Sequence, residues 1–438
     1  MTDQTLPQFV DDDLPAIPIQ AVRPTKRTSA DVEARPVVER KLTFWNTLDK
    51  PILIITGMLL ALGLMMVYSA TFDWSLAEFG SETRVALSHV QNVIIGIGAM
   101  LFFSRVNLKF VRRLALIVML MAISFLIAVL IFGDDTFGAR RALINGRFQP
   151  SEFAELAIII YMAAWMGSKN VRLRSFTYGL LPFLVLVGIV TGLVVIQPDL
   201  STAVTIFITS GIMFFLAGAN MRQVTIILGT LLLATMIILP FFPYAKTRID
   251  AFSAGIIDPT QASWHTQQAL IAIYYGGWTG LGLGTGQSKF QGLPAPHTDS
   301  IFAVIGEEFG VIGAVIVIGI YLSFCIRGFQ ISRRATDAFS GLIASGVTVW
   351  VTSKAVLNIA VMTNLVPATG LPLPLISFGG SSLVVILSGI GLLLAVQRQT
   401  VIKENSPERR NLSANDYRGG GDGRSRLPRT SSRRVHTS

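Results

Sequence analysis

Cysteine is almost missing from this chain. Cys325 stands alone, so no internal disulfide can form and the redox compartment is unreadable. Charge is scarce as well. Only 14% of the 438 residues are Asp, Glu, Lys or Arg, where soluble domains carry about a quarter. That shortage excludes an ordinary soluble globular protein. The opening residues do not read as a secretory leader, because Asp11, Asp12 and Asp13 stand where its apolar core would be. No βαβ frame surrounds the glycine run GLGLGTG at 280–286, so a nucleotide-binding loop is not expected. Backbone flexibility beside a membrane-surface site is expected there instead. No clear internal repeat is visible.

What the chain does have is apolar length. It is 51% hydrophobic, and its mean hydropathy is +0.58. Runs of about 20 apolar residues recur, each long enough to cross a hydrocarbon core of about 30 Å. Spans are predicted at 51–70, 87–104, 113–133, 151–167, 178–196, 200–218, 223–243, 300–325, 338–363 and 378–396. The predicted fold is an all-α polytopic membrane protein of about ten transmembrane helices, with one long extracytoplasmic loop at 244–299 and disordered cytoplasmic tails. Residues 1–48 and 398–438 are the tails, polar and rich in arginine, and 49–397 is the membrane domain. Within the long loop, Thr266 to Ile273 reads as an amphipathic helix.

Basic residues set the orientation. Arg105, Lys109, Arg112 and Arg113 share one connector, Lys169, Arg172 and Arg174 the next, and Arg327, Arg333 and Arg334 a third. That side, with both tails, is predicted to be cytoplasmic in a plasma-membrane protein. The net charge of +10 then serves orientation and lipid contact rather than nucleic acid. Arg140, Arg141 and Arg147 fall outside, against the rule.

On this topology the unusual polar residues collect on the outer face. Gln149-Pro150-Ser151-Glu152 opens the fourth span, and Gln197-Pro198-Asp199 links two spans. Arg248, His297 and Asp299 come from the long loop, and Ser377 to Ser382 opens the last span. Guanidinium matches phosphate in a fork geometry, and a carboxylate serves as general base or metal ligand. The set suits a phosphorylated, lipid-linked substrate. Each piece also has a structural reading. Ser151, Glu152, Ser381 and Ser382 suit helix N-termini. Gln197-Pro198-Asp199 suits a turn, and His297 a hydrogen-bonded loop residue. Glu307 and Glu308 suit an ion pair with Lys354, an expensive lysine inside an apolar span.

The strings FQPSEFA (148–154), QPDLSTA (197–203), HTDSIFAVIGEEFG (297–310) and GLPLPLISFGGSS (370–382) resemble the shape, elongation, division and sporulation (SEDS) family of the FtsW/RodA type. The resemblance covers about residues 49–397. It implies ten transmembrane helices with cytoplasmic termini. It also implies glycosyltransferase activity that polymerises lipid II onto a glycan held on polyprenyl pyrophosphate, dependence on a divalent cation (Mg2+ or Mn2+), and a class B penicillin-binding transpeptidase as partner. By position, Asp299 matches the family's loop aspartate and Glu152 the glutamate of its QPSE motif; these two are the implied catalytic and metal-binding carboxylates. Arg140 matches the arginine of its Gly-Ala-x-Arg-Trp stretch, with Arg141 the alternative in a shifted register. Gln149, Ser151, Arg248, His297, Ser381 and Ser382 complete the expected substrate site. Four positions depart from the pattern: Ala142 where tryptophan is expected, Glu155 in place of lysine, Ser300 in place of an aromatic, and Ala295-Pro296 in place of proline-glutamate. A precursor flippase and a non-catalytic scaffold are the rival functions. Pro367 to Gly370 leans toward elongation, the long tails toward division.

Glu152 and Glu155 lie three residues apart, nearly on one helix face. Two such carboxylates demand a cation between them. The 138–147 arginines, Lys354 or a divalent ion are the candidates.

Overall fold

The computed structural model describes residues 43–136, 139–143, 148–169, 171–241, 243–290 and 292–405. Most of both tails, and Arg147, lie outside the described residues. So do the side chains of Arg140 and Arg141.

A single turn, α1 (Phe44–Thr47), precedes α2 (Lys50–Phe79). Asp49 caps α2 by accepting from the Ile52 N–H at 3.0 Å. Nothing breaks this helix until Gly80, which closes it at φ 67°. It therefore runs past the expected end at 70. Next come α3 (Arg84–Arg105) and α4 (Leu108–Phe132). Asn107 caps α4, so Lys109, Arg112 and Arg113 sit on the first turns of a helix rather than in a connector. A short antiparallel ribbon follows, β1 (Asp134–Thr136) against β2 (Ala139–Ala142), with Asp135 opposite Arg140.

Then come α5 (Pro150–Met166), α6 (Leu181–Ile196), α7 (Leu200–Leu216) and α8 (Met221–Ile238). Pro240 and Pro243 end α8 before the expected 243, because proline supplies no N–H to continue the ladder. The stretch read as one long loop holds two further helices, α9 (Pro243–Ile257) and α10 (Trp264–Gly276). Three long helices complete the chain: α11 (Ile301–Arg334), α12 (Ala338–Met362) and α13 (Ser381–Glu404).

A helix thus stands at each of the ten expected spans. Among the described residues, seven are long and apolar enough to cross a membrane by length and composition. The best-buried are α12 and α13, with 72% and 78% of their apolar windows inside the protein, against 22% for α11. Lipid is as apolar as leucine, so helices in a membrane associate by close packing and hydrogen bonds. Two such bonds tie one end of the bundle. Arg327 pairs with Asp49 at 2.7 Å, and Arg398 donates to the Ser104 carbonyl at 2.9 Å. The motif strings gather at the other end.

One long helix is broken. Gly310 in α11 takes φ 66° and ψ −169°, a conformation that favours glycine. Residues 277–282 fill the break. The Val311 and Ile312 N–H groups donate to the Gly277 and Trp278 carbonyls, and the Leu281 and Gly282 N–H groups donate to the Glu307 and Glu308 carbonyls. Backbone polar groups at membrane depth need such partners. A Cβ on Gly310 would lie 2.5 Å from the Gly280 nitrogen, so no larger residue fits.

Candidate functional site

A cavity of about 850 Å³ opens among α3, α5, α7 and α13. Its walls include Gln149, Glu152, Asp199, Arg248, Thr298, the 370–372 segment and Phe378 to Ser382. Four separate motif strings therefore meet at one place. Polar Ser88, Gln91 and Asn92 of α3 join them. Their spacing puts them on one face of an apolar helix, a signal that the sequence reading passed over.

Asp199 joins two helices. Its Oδ1 accepts from the Thr202 N–H at 3.2 Å, capping α7. Its Oδ2 accepts from Ser151 Oγ at 3.0 Å and Gln149 Nε2 at 3.1 Å. The Gln149 N–H in turn donates to Ser381 Oγ at 3.3 Å, linking the starts of α5 and α13. Gln149, Ser151 and Ser381 thus build the wall. Ser382 Oγ is buried with no hydrogen-bond partner among the described residues.

Glu152 reaches the cavity from α5, and Lys354 of α12 holds it from behind. Lys354 Nζ lies 2.7 Å from Glu152 Oε2 and 2.5 Å from Glu155 Oε2. Thr205 Oγ1 donates to the other Glu155 oxygen. All three charged groups are buried. The cation required between Glu152 and Glu155 is therefore Lys354.

Lys354 does not pair with Glu307 or Glu308, which corrects the expectation for those residues. Glu308 Oε1 takes Lys289 Nζ at 2.6 Å, and Ser69 Oγ donates to it at 2.7 Å. Glu307 Oε1 accepts from the Gln287 and Ser288 N–H groups at 2.9 and 3.0 Å. The two carboxylates anchor the glycine-rich segment. No motif marks Lys289, which lies in the predicted 244–299 loop.

The His297-Thr298-Asp299 turn is held through its carbonyls. Phe378 N–H donates to His297 O at 2.8 Å, Ser377 Oγ donates to Thr298 O, and Asn358 Nδ2 donates to Asp299 O at 2.7 Å. The His297 ring stacks on Trp74 with centroids 5.3 Å apart and meets Phe378 edge-on at 5.8 Å. The ring clamps this segment beside the cavity lining. The Asp299 carboxylate is half-buried and accepts from Thr298 Oγ1 at 3.1 Å. It sits at the cavity's edge: a Cβ on Gly370, a wall residue, would lie 3.8 Å from Asp299 Oδ2.

His265 of α10, missed in the sequence, adjoins this turn. Ser300 Oγ donates to the Pro294 carbonyl at 2.6 Å, so His265 Nε2 is the donor in its 2.6 Å bond to Ser300 Oγ. Burial pushes the His265 and His297 imidazoles below their ordinary range. Asp299 pulls both back up, and Arg248 pushes His265 further down. Arg248 lines the cavity but has a partner there, donating to the Ala368 carbonyl at 2.8 Å.

The expected divalent cation finds no protein cage. Among the described residues no three His, Cys, Asp or Glu side chains gather to hold a metal. Glu152 already gives an oxygen to Lys354. Asp299 and Glu152 alone do not make a protein-only metal cage; a hard cation held by so few carboxylates would take its remaining ligands from water and substrate phosphate.

The whole membrane domain has known relatives. Residues 50–402 match the cell cycle protein family of FtsW, RodA and SpoVE. A probable peptidoglycan glycosyltransferase FtsW of Trichlorobacter lovleyi is 35% identical over 359 residues, covering 80% of this chain and 92% of that one. Stage V sporulation protein E of Bacillus subtilis is 35% identical over 355 residues, covering 80% and 97%. Among solved structures, a chain of a peptidoglycan synthase complex that coordinates polymerisation and crosslinking superposes with a TM-score of 0.67. It is 24% identical and covers 81% of this chain and 98% of its own. The rod shape determining protein RodA of Thermus thermophilus gives 0.61 at 23% identity, covering 82% and 99%. The fold, the clustered motifs and a match over nearly the whole membrane domain agree: this chain is a multi-pass membrane protein of the FtsW/RodA/SpoVE cell cycle family.

Proposed function

We propose that the chain is a peptidoglycan glycosyltransferase that polymerises lipid II on the extracytoplasmic face, with both termini cytoplasmic. The observation that carries the reading is the cavity where Glu152, Arg248 and the edge of Asp299 meet. Asp299 accepts the proton of the incoming sugar hydroxyl, a step worth about 10²–10⁴-fold in rate. The freed oxygen attacks the anomeric carbon of the held glycan. The bond to pyrophosphate breaks, and pyrophosphate leaves on its lipid. Arg248, already oriented by the Ala368 carbonyl, meets that anion, assisted by Arg140 or Arg141. Glu152, held by Lys354, orients the substrate from the opposite wall.

An apolar groove of about 360 Å³ shares Leu200 with the cavity. It suits the polyprenyl tail. A transpeptidase of the class B penicillin-binding type is the proposed partner.

The test is purified protein with labelled lipid II, beside Asp299→Ala. Glycan chains from the wild type and none from a folded Asp299→Ala protein support the reading. Movement of lipid II across liposomes without polymer would identify a flippase. Neither activity would identify a scaffold.

A further inference from the structure

We infer that α12 is the positioning element of the site: Lys354 and Asn358, four residues apart, set Glu152 and the backbone of Asp299 at a fixed spacing. The inference rests on the reading of those two carboxylates given above. Residues i and i+4 share a helix face, and their separation along the axis is about 6 Å. One of the pair holds the Glu152 carboxylate at 2.7 Å. The other holds the Asp299 carbonyl at 2.7 Å. A single rigid helix therefore carries both attachments.

Asn358 is suited to this work. It is 1% exposed. Its Nδ2 donates to two carbonyls, Asp299 O and Leu371 O, each at 2.7 Å. An amide nitrogen carries two hydrogens on one atom, so one side chain bridges the Asp299 turn and a cavity wall. Turning the amide over would set its oxygen against two carbonyl oxygens, so the neighbours fix its orientation. Asn358 Oδ1 is buried without a hydrogen-bond partner among the described residues. The residue gives up that bond and keeps the two donors.

The adjoining contacts make the holding firm. The carbonyls of His297 and Thr298 are already tied to Phe378 and Ser377. Asn358 supplies the third of three consecutive ties. With it the Asp299 backbone is fixed, and the carboxylate moves only by side-chain rotation. Without it the Asp299 carbonyl loses its tie, and only the Thr298 and Ser300 N–H bonds to the Ala295 carbonyl flank the residue that bears the base.

The experiment uses full-length purified protein, labelled lipid II and rates counted per folded molecule by thermal melting. Asn358→Ala is expected to lower kcat about 10–100-fold with KM changed less than about threefold, since a misplacement of about 1 Å costs that much in rate. Asn358→Gln keeps both donors on a longer stem and should recover most of the loss. Where Asn358→Ala does not survive purification, Asn358→Gln carries the test, with kcat several-fold down and KM unchanged. A wild-type kcat per folded molecule in the surviving variant overturns the inference, because a residue serving stability alone lowers only the folded fraction. So does a loss confined to KM. Asp299→Asn is run beside them. If it keeps the wild-type rate, the reading of Asp299 fails first, and the inference with it.

Discussion

Lys354→Met tests the buried charge cluster. The methionine has nearly the volume of the lysine and removes only the ammonium. In the wild type that ammonium lies 2.7 Å from Glu152 and 2.5 Å from Glu155, all three buried. Its loss leaves two carboxylates facing each other away from water. Breaking a buried ion pair by removing one partner costs about 3–5 kcal/mol. Over the matched stretch 50–402, an unfolding entropy of about 2.1 cal/mol/K per residue makes that a fall in Tm of about 4–7 °C. Tryptophan fluorescence is an apt probe, because Lys354 Nζ lies 5.4 Å from the Trp350 ring centre. The triple variant Lys354→Met, Glu152→Gln, Glu155→Gln should regain most of the loss, since neutral groups do not need the cation. Lys354→Met melting with the wild type would refute the electrostatic account. A triple variant as unstable as the single would assign the loss to shape.

Further outcomes are expected at other positions. Glu155→Lys sets a second ammonium beside Lys354 and should reduce both stability and polymerisation; adding Lys354→Met should restore them, as melting and glycan yield will show. Arg248→Ala should raise the KM for lipid II about tenfold or more, the scale of one lost charge-assisted bond, with less effect at high salt. Gly310→Ala should fail to accumulate in membranes, because its Cβ would meet the Gly280 nitrogen at 2.5 Å. The folded-state pKa of His265 and of His297 is lowered from 6.5, so the unfolded chain takes up protons first as pH falls below about 6.5. Stability should decline from there down to the folded pKa values, and His265→Gln or His297→Gln should flatten the decline in a melting series from pH 8 to pH 5.

Much of this fold was legible because its signals are local. Long apolar runs gave the ten helix positions. The acid pair at Glu152 and Glu155 demanded a cation, and an expensive lysine at 354 was on the short list. What stayed hidden depends on pairing across the chain. Glu308 takes its partner from Lys289, which only a segment folded back against α11 brings near. His265 and Asn358 carry no motif and matter through what they touch, Ser300 and two carbonyls. The ends of α2 and α8 were misjudged because hydropathy marks where lipid begins, whereas Gly80 and the prolines mark where a helix ends. The ribbon sets Arg140 opposite Asp135.

The buried charge clusters Lys289–Glu308 and Glu152–Lys354–Glu155 also differ in the order in which their halves are synthesised. Lys289 precedes Glu308 by 19 residues, so its ammonium has already been made when the acidic half of α11 appears. Glu152 precedes Lys354 by 202 residues. At about 5–20 residues per second, α5 waits about 10–40 s for its cation. During that interval its two carboxylates need water, protons or a chaperone at the membrane surface. The α5 segment is therefore expected to stay unsettled until α12 appears, and a chain stalled before α12 should leave it accessible to water-soluble labelling reagents.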